Sequence, residues 1–214
     1  LIMEYSELHK KYLNFRDGIF VEAGANNGID QSNTFSLERD QGWRGLLVEP
    51  NPFVYGQCVL NRLNSICENY ALVSSSYSSN TINGDFAHRD NYQSLMGTVE
   101  DPGDYCDEFL LEAKNSRKND YGYIAVPATT LNSLLNKHNI TKINFLSLDV
   151  EGYEISVLNG LDLNVYRPTY CLLETSFNFA NGRRLVAVSD HMIRNGYEAL
   201  ENFGASDTLY RSLI

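Results

Sequence analysis

Two stretches decide the fold: Gly18-Ile-Phe-Val-Glu-Ala-Gly-Ala-Asn-Asn-Gly28 and Gly42-Trp-Arg-Gly-Leu-Leu-Val-Glu-Pro50. Each is a short apolar run that ends abruptly on an acid, a glycine or a proline. Gly18–Ala23 reads as a strand that Gly24–Gly28 stops, and Asp30 to Asp40 as the helix that follows, with Asp30 or Ser32 as its N-cap. Leu46–Glu49 reads as the second strand, because Pro50-Asn-Pro52 cannot continue a ladder. Outward from these, Tyr5–Phe15 is an amphipathic leading helix and Pro52 to Leu63 a third one. Ile66–Val73 is a strand, Thr130 caps a helix through Leu135, and Ile143–Asp149 is a strand followed by a helix over Val150–Leu158. Tyr170–Glu174, Leu185–Asn195 and a closing pair, Tyr197–Asn202 with Thr208–Arg211, complete the pattern. Strands alternating with helices make this an α/β fold with a mostly parallel sheet covered on both faces.

In such sheets a ligand lies beyond the carboxyl ends of the strands. Glycines after the first strand let a backbone approach a ligand closely. Glu49 follows Gly24 by 25 residues (49 − 24), where a carboxylate can accept both hydroxyls of a ribose. A dinucleotide site wants glycine where Asn26 stands, and Glu22 would repel a pyrophosphate. S-adenosylmethionine carries a sulfonium and an ammonium instead, and Glu22, Glu49 and Asp149 suit that cation.

The chain then resembles a known family. Phe20–Gly28, Ser32-Asn-Thr34 and Gly42–Pro50 are similar to the FkbM-type methyltransferases, as are Asn69-Tyr-Ala-Leu72, Thr130-Leu131, Asp149-Val-Glu-Gly-Tyr-Glu154, Gly160, Asn195-Gly-Tyr197 and Asp207–Tyr210. The resemblance spans about Phe20 to Arg211 apart from an insertion that does not align. It implies a Rossmann-like class I methyltransferase with a seven-stranded sheet, S-adenosylmethionine as cofactor, and transfer of methyl to a hydroxyl oxygen of a sugar, glycan or natural product. It places cofactor contacts on Glu22, Gly24, Ala25, Asn26, Asn27, Gly28, Glu49, Pro50, Ala71 and Asp149. Asn27 departs from the pattern, since many members carry Asp there.

Methyl transfer needs the acceptor oxygen in line with the S–CH₃ bond and help in removing its proton. Asp149 and Glu151 follow one strand, and Glu174 ends the neighbouring one. Asp149 and Glu174 are the catalytic candidates, Asp149 toward the cofactor and Glu174 toward the acceptor. Glu151 is equally read as a cap of its own helix, Glu154 as a helix-stabilising acid, and Glu174 as a partner of Arg183 or Arg184. A divalent ion bridging Asp149 and Glu174 lacks a third ligand. His9, His88, His138 and His191 read as surface or packing residues, although His88 lies with Tyr92 in the insertion. Trp43 reads as a core anchor. Two rival functions are a nucleoside-cofactor (NAD) oxidoreductase and a non-catalytic binding module on the same fold.

Bulk properties bound these readings. The 214 residues, 43% hydrophobic and 21% charged, suit one globular domain. No apolar run is long enough to span a membrane, and no signal peptide is expected near the start. The formal net charge of −10, without any Lys/Arg run, argues against nucleic acid and for a neutral or cationic small molecule. Cys58, Cys67, Cys106 and Cys171 form no C-x-x-C, with Cys58 and Cys171 expected in the core, so a reducing, cytoplasmic setting is expected. The sequon Asn139-Ile-Thr141 does not overturn that. Ser74–Gly122 is polar and tyrosine-bearing (Tyr77, Tyr92, Tyr105, Tyr121, with Phe86 and Phe109). It reads as a lid, a substrate-binding insertion or a set of short hairpins.

Overall fold

Phe20, Leu47, Phe145 and Leu172 are buried on one face of a sheet, and Val21, Leu46, Leu148 and Leu173 on the other. That period of two, apolar on both faces, is what a strand enclosed between helix layers requires. The computed structural model describes residues 5–87, 98–99, 121–175, 183–204 and 206–214. Its main sheet is built from β1 (Ile19–Ala23), β2 (Arg44–Val48), β3 (Ile66–Glu68), β8 (Phe145–Leu148), β9 (Tyr170–Glu174), β10 (Tyr197–Phe203) and β11 (Asp207–Ser212). Their spatial order is β10-β11-β9-β8-β1-β2-β3. The five strands from β9 to β3 are parallel, and β11 and β10 close the sheet in antiparallel fashion. This is the seven-stranded arrangement expected from the sequence.

Helices α1 (Tyr5–Tyr12), α2 (Phe35–Gln41) and α3 (Pro52–Asn61) belong to the face that carries Phe20 and Leu47, where Leu8, Leu37 and Cys58 are buried. Helices α4 (Leu131–Lys137), α5 (Glu154–Asn159) and α6 (Arg183–Arg194) belong to the opposite face through Leu134, Val157 and Val188. Trp43 anchors the first layer as expected: it is fully buried and its Nε1 donates to the Phe15 carbonyl at 2.7 Å. Thr130 caps α4, its Oγ1 accepting from the Ser133 amide at 3.2 Å.

Among the boundaries that differ from the sequence reading, three bear on the site. Helix α2 begins at Phe35 rather than near Asp30, because Ser32, Asn33 and Thr34 turn their donors toward the Glu22 carboxylate instead of entering a helix. The expected strand Ile66–Val73 is two strands, β3 and β4 (Ala71–Leu72), in different sheets. At the break, the Asn69 amide donates to the carbonyls of Glu49 and Pro50. Helix α5 starts at Glu154 rather than Val150, after a turn in which Glu151 and Gly152 have positive φ.

A second sheet, of order β4-β7-β5-β6, forms from β4 and the flanks of the insertion: β5 (Thr81–Ala87), β6 (Thr98–Val99) and β7 (Tyr121–Thr129). Strand β5 pairs antiparallel with β7 from Thr81–Pro127 to Ala87–Tyr121, and β7 runs parallel to β4. The flanks are therefore hairpin strands, and Ile82, Phe86, Val99 and Val126 join the core of the main sheet. His88, Tyr92, Tyr105, Cys106 and Phe109 lie outside the described residues.

The turn after β1 rests on Gly24, whose φ is +81°; a Cβ there would stand 1.7 Å from the Asp149 carbonyl oxygen. The crowding comes from the neighbouring strand end rather than from any ligand. Gly56, inside α3, would place a Cβ with nothing within 4 Å. Gly24→Ala is therefore expected to destabilise the protein by on the order of 3 kcal/mol through strain and overlap. Gly56→Ala should stabilise it by about 0.5–1 kcal/mol. Urea denaturation of the two variants checks both signs.

Candidate active site

A cavity opens at the carboxyl ends of β1, β2 and β8, where the sheet topology places a ligand. Of the ten cofactor positions expected from the sequence, Glu22, Gly24, Asn26, Glu49, Pro50, Ala71 and Asp149 line it. Ala25, Asn27 and Gly28 do not. Ala25 is buried in the core, its amide donating to the Val48 carbonyl. Asn27 shapes the loop: its Oδ1 accepts from the amides of Ile29 and Asp30, and its Nδ2 donates to Asp30 Oδ2 at 2.8 Å. An aspartate at this position would set two carboxylates against each other, so the departure at Asn27 matches its partner Asp30.

Glu22 is an acid inside a strand, on the face turned toward α2 and α3. Burial of such a group is tolerated only when its acceptors are used. Its carboxylate takes hydrogen bonds from Ser32 Oγ and from the Asn33 amide, both at 2.8 Å, and from Thr34 Oγ1. Arg62, with no exposed side-chain surface, follows α3 and reaches the same place. Its guanidinium donates to Glu38 Oε2 at 3.0 Å, to the Gly28 carbonyl at 3.0 Å, to Ser32 Oγ and to Thr34 Oγ1, and lies 3.5 Å from Glu22. Glu22 thus both touches the cavity and fixes the loop that walls it. The sequence reading found Glu22 but not Arg62, whose only signal was a basic residue inside an otherwise apolar helix end.

Glu49 leaves β2 and turns into the loop. Its two oxygens accept from the amides of Asn26 and Asn51, each at 2.7 Å. Asn26 reaches this bond with φ +47°, a left-handed conformation that asparagine tolerates. Each carboxylate oxygen keeps a second acceptor position, and Glu49 borders the cavity. Burial pushes its carboxyl up from 4.5 to about 7, against the two amide bonds that favour the charged form.

Asp149 follows β8, its side chain exposed and lining the cavity. Partial loss of hydration from the protein around it, then the charges of Glu174, Glu151, Asp207 and Glu154, raise its carboxyl well above the ordinary carboxylate range. Leu148 pairs with Leu173, so Asp149 and Glu174 leave adjacent strands side by side. Glu174 itself is not part of the cavity lining. It faces Asp207 across β9 and β11, and Tyr5 of α1 donates to Asp207 Oδ2 at 2.8 Å. The sequence reading saw Asp207 only as part of a resemblance; the antiparallel return of the chain, which spacing does not reveal, brings it here. Glu154 is buried and accepts from the Val150 amide at 3.1 Å, which fastens the turn that precedes α5. Phe86 and Val99 of the second sheet, with Tyr70 and Tyr153, supply apolar wall. Among the described residues no group of three or more His, Cys, Asp or Glu is arranged to hold a metal ion.

The sheet order, the glycine turn after β1 and the acid after β2 define a class I methyltransferase fold. The model of the methyltransferase FkbM domain matches residues 22–199, and the chain belongs to that family. It is similar in fold to the crystal structure of methyltransferase FkbM from Methylobacillus flagellatus KT, with a TM-score of 0.59 and 14% identity over 99% of this chain and 48% of that one. The chain thus spans about half the length of that structure. Two further similarities are to a TehB-like SAM-dependent methyltransferase from Corynebacterium glutamicum ATCC 13032 Kitasato (TM-score 0.44, 11% identity, 98% and 88% covered) and to precorrin-6y C5,15-methyltransferase from Geobacter metallireducens GS-15 (0.46, 9%, 96% and 85%). No curated protein matches the chain at a significant level. Among the described residues no helix is long and apolar enough to cross a membrane.

Two outcomes follow from Arg62 and Glu49. Arg62→Ala leaves Glu22 and Glu38 without their shared cation, and should cost about 3–5 kcal/mol in chemical denaturation. For Glu49, the folded protein without ligand holds a proton between pH 4.5 and about 7 that the unfolded chain has released. The stability this confers is lost as pH rises through that window. The fall in Tm between about pH 5 and 7 should be shallower in Glu49→Gln than in the wild type.

Proposed function

We propose that the chain binds S-adenosylmethionine in this cavity and directs its methyl group to a hydroxyl oxygen of a sugar, glycan or natural product. One observation carries the cofactor reading. Glu22, Asp30, Glu49, Asp149 and Glu151 line the cavity, and among the described residues no Lys, Arg or His does. Such a wall favours a cation and repels a pyrophosphate, which argues against the NAD-dependent reading.

When bound, the cofactor supplies a methyl group activated by a positively charged sulfur. Glu49 would accept the two ribose hydroxyls through the acceptor positions its amide bonds leave over. The Gly24–Asn26 turn gives the ligand close access to backbone, while Phe86, Val99 and Tyr70 offer an apolar slot for a flat base. Asp149 would meet the cationic methionine end, which also draws its raised carboxyl back to the charged form. Glu174, beside it, would take the proton of the acceptor hydroxyl. The free thiols of Cys58, Cys67 and Cys171 fit a reducing, cytoplasmic setting.

Calorimetry should show binding of S-adenosylmethionine and not of NAD. Glu49→Ala should weaken it by about 1.5–3 kcal/mol, the worth of hydrogen bonds to a charged group. An unchanged affinity removes Glu49 from the site. With an acceptor in hand, Glu174→Gln should lower turnover by roughly 10²–10⁴-fold with cofactor affinity intact, whereas Asp149→Asn should lower both. Full turnover in Glu174→Gln moves the base elsewhere, and loss of activity in EDTA that Mg²⁺ restores assigns the acids to a metal.

A further inference from the structure

Cys58 of α3 and Cys67 of β3 stand with their sulfurs 3.7 Å apart, although neither belongs to a C-x-x-C motif. We propose that the pair is a reversible disulfide site, a cross-link that ties α3 to the edge strand β3 and braces the turn carrying Glu49.

The two thiols differ in the way a two-step exchange requires. Cys67 is partly exposed on the last strand of the sheet, and Cys58 is fully buried beneath it. Donation from the Cys58 thiol and the charge of Arg62 hold Cys67 below the ordinary thiol range. Cys58 is pushed up, first by that shared hydrogen bond and then by burial. Cys67 is thus the attacking thiolate and Cys58 the resolving thiol. The oxidant is a small-molecule disulfide such as oxidised glutathione. The Cys67 thiolate forms a bond to one of its sulfurs and expels the other as a thiolate. Cys58, giving up its proton to that leaving thiolate, then attacks Cys67 Sγ and releases the second small thiol. Two protein thiols are oxidised and one disulfide is reduced to two thiols. The protein sulfurs need only close from 3.7 Å to about 2.05 Å.

The place of the link gives it a consequence. Helix α3 begins at Pro52, and its cap Asn51 donates its amide to Glu49. From the β3 side, the Glu68 carbonyl accepts from the Glu49 amide, and Asn69 holds the carbonyls of Glu49 and Pro50. Both supports of the turn therefore end in one of the two cysteines' elements.

The test uses the full chain with Cys106→Ser, which removes a competing thiol outside the described residues. Equilibration with oxidised glutathione should give a protein lighter by two hydrogens, with the Cys58 and Cys67 peptides joined and dithiothreitol reversing the change. The oxidised form should melt higher by about 5 °C, as expected for closing so short a loop. Amide exchange at Glu49 and Asn51 should slow. In Cys58→Ala the glutathione adduct should persist on Cys67, and Cys67→Ser should form neither product. Thiols that stay free, a link from either residue to Cys171, or an oxidised form that melts no higher and exchanges no slower would overturn the proposal.

Discussion

A single buried guanidinium ties the cofactor-side half of this domain together. Arg62 lies where α3 ends, and its donors reach β1 through Glu22, the glycine loop through the Gly28 carbonyl, and α2 through Glu38 and Thr34. A buried charge is tolerated only when every face of it is answered, and here the answers come from three separate elements. The loop after β1 thus has little freedom of its own. Its outward residues, Gly24 and Asn26, border the cavity because its inward ones, Ser32 and Thr34, are fastened to Glu22 and Arg62. The network is a condition for the site rather than a part of it.

The strands of the main sheet were legible because burial on both faces forces continuous apolar runs, and little else in a sequence looks like that. Glu49 was legible for a related reason: an acid directly after such a run, with prolines behind it, has to stand at a strand end. What escaped the reading was governed by polar contacts between distant residues. The start of α2 was displaced because Glu22, ten residues away from Ser32, outcompetes the helix for its donors. Strand β3 stopped early because Asn69 turns back to the Glu49 carbonyl. Arg62 and Asp207 owe their places to the return paths of the chain, which neither spacing nor composition encodes. Ala25, Asn27 and Gly28 share a motif with residues that line the cavity, yet they stand behind that lining and shape the loop.

The carboxylates divide into two working groups. Glu22 and Glu38 have their charges met inside the protein by Arg62. Among the described residues no cation does this for Glu49 and Asp149, and burial or neighbouring acids leave both with raised proton affinity. A cationic ligand, as proposed above, would supply a countercharge, so occupancy of the cavity and ionisation of these acids would be linked. Unlike a neutral pocket, one built this way is least comfortable when it is charged and empty.

Strand β11 has a further implication for how the molecule comes into being. It follows β10 in the sequence, yet it lies inside the sheet, between β9 and the edge strand β10. During synthesis the chain lays down β9 and β10 with a gap between them, and the gap is filled only after Ser212 has left the ribosome. The half made of β1 to β3 with α2 and α3 is complete long before. The half that carries Asp207 opposite Glu174 is assembled later. A nascent chain therefore acquires the shape of its ligand cradle early and its carboxylate row only once β11 has been made.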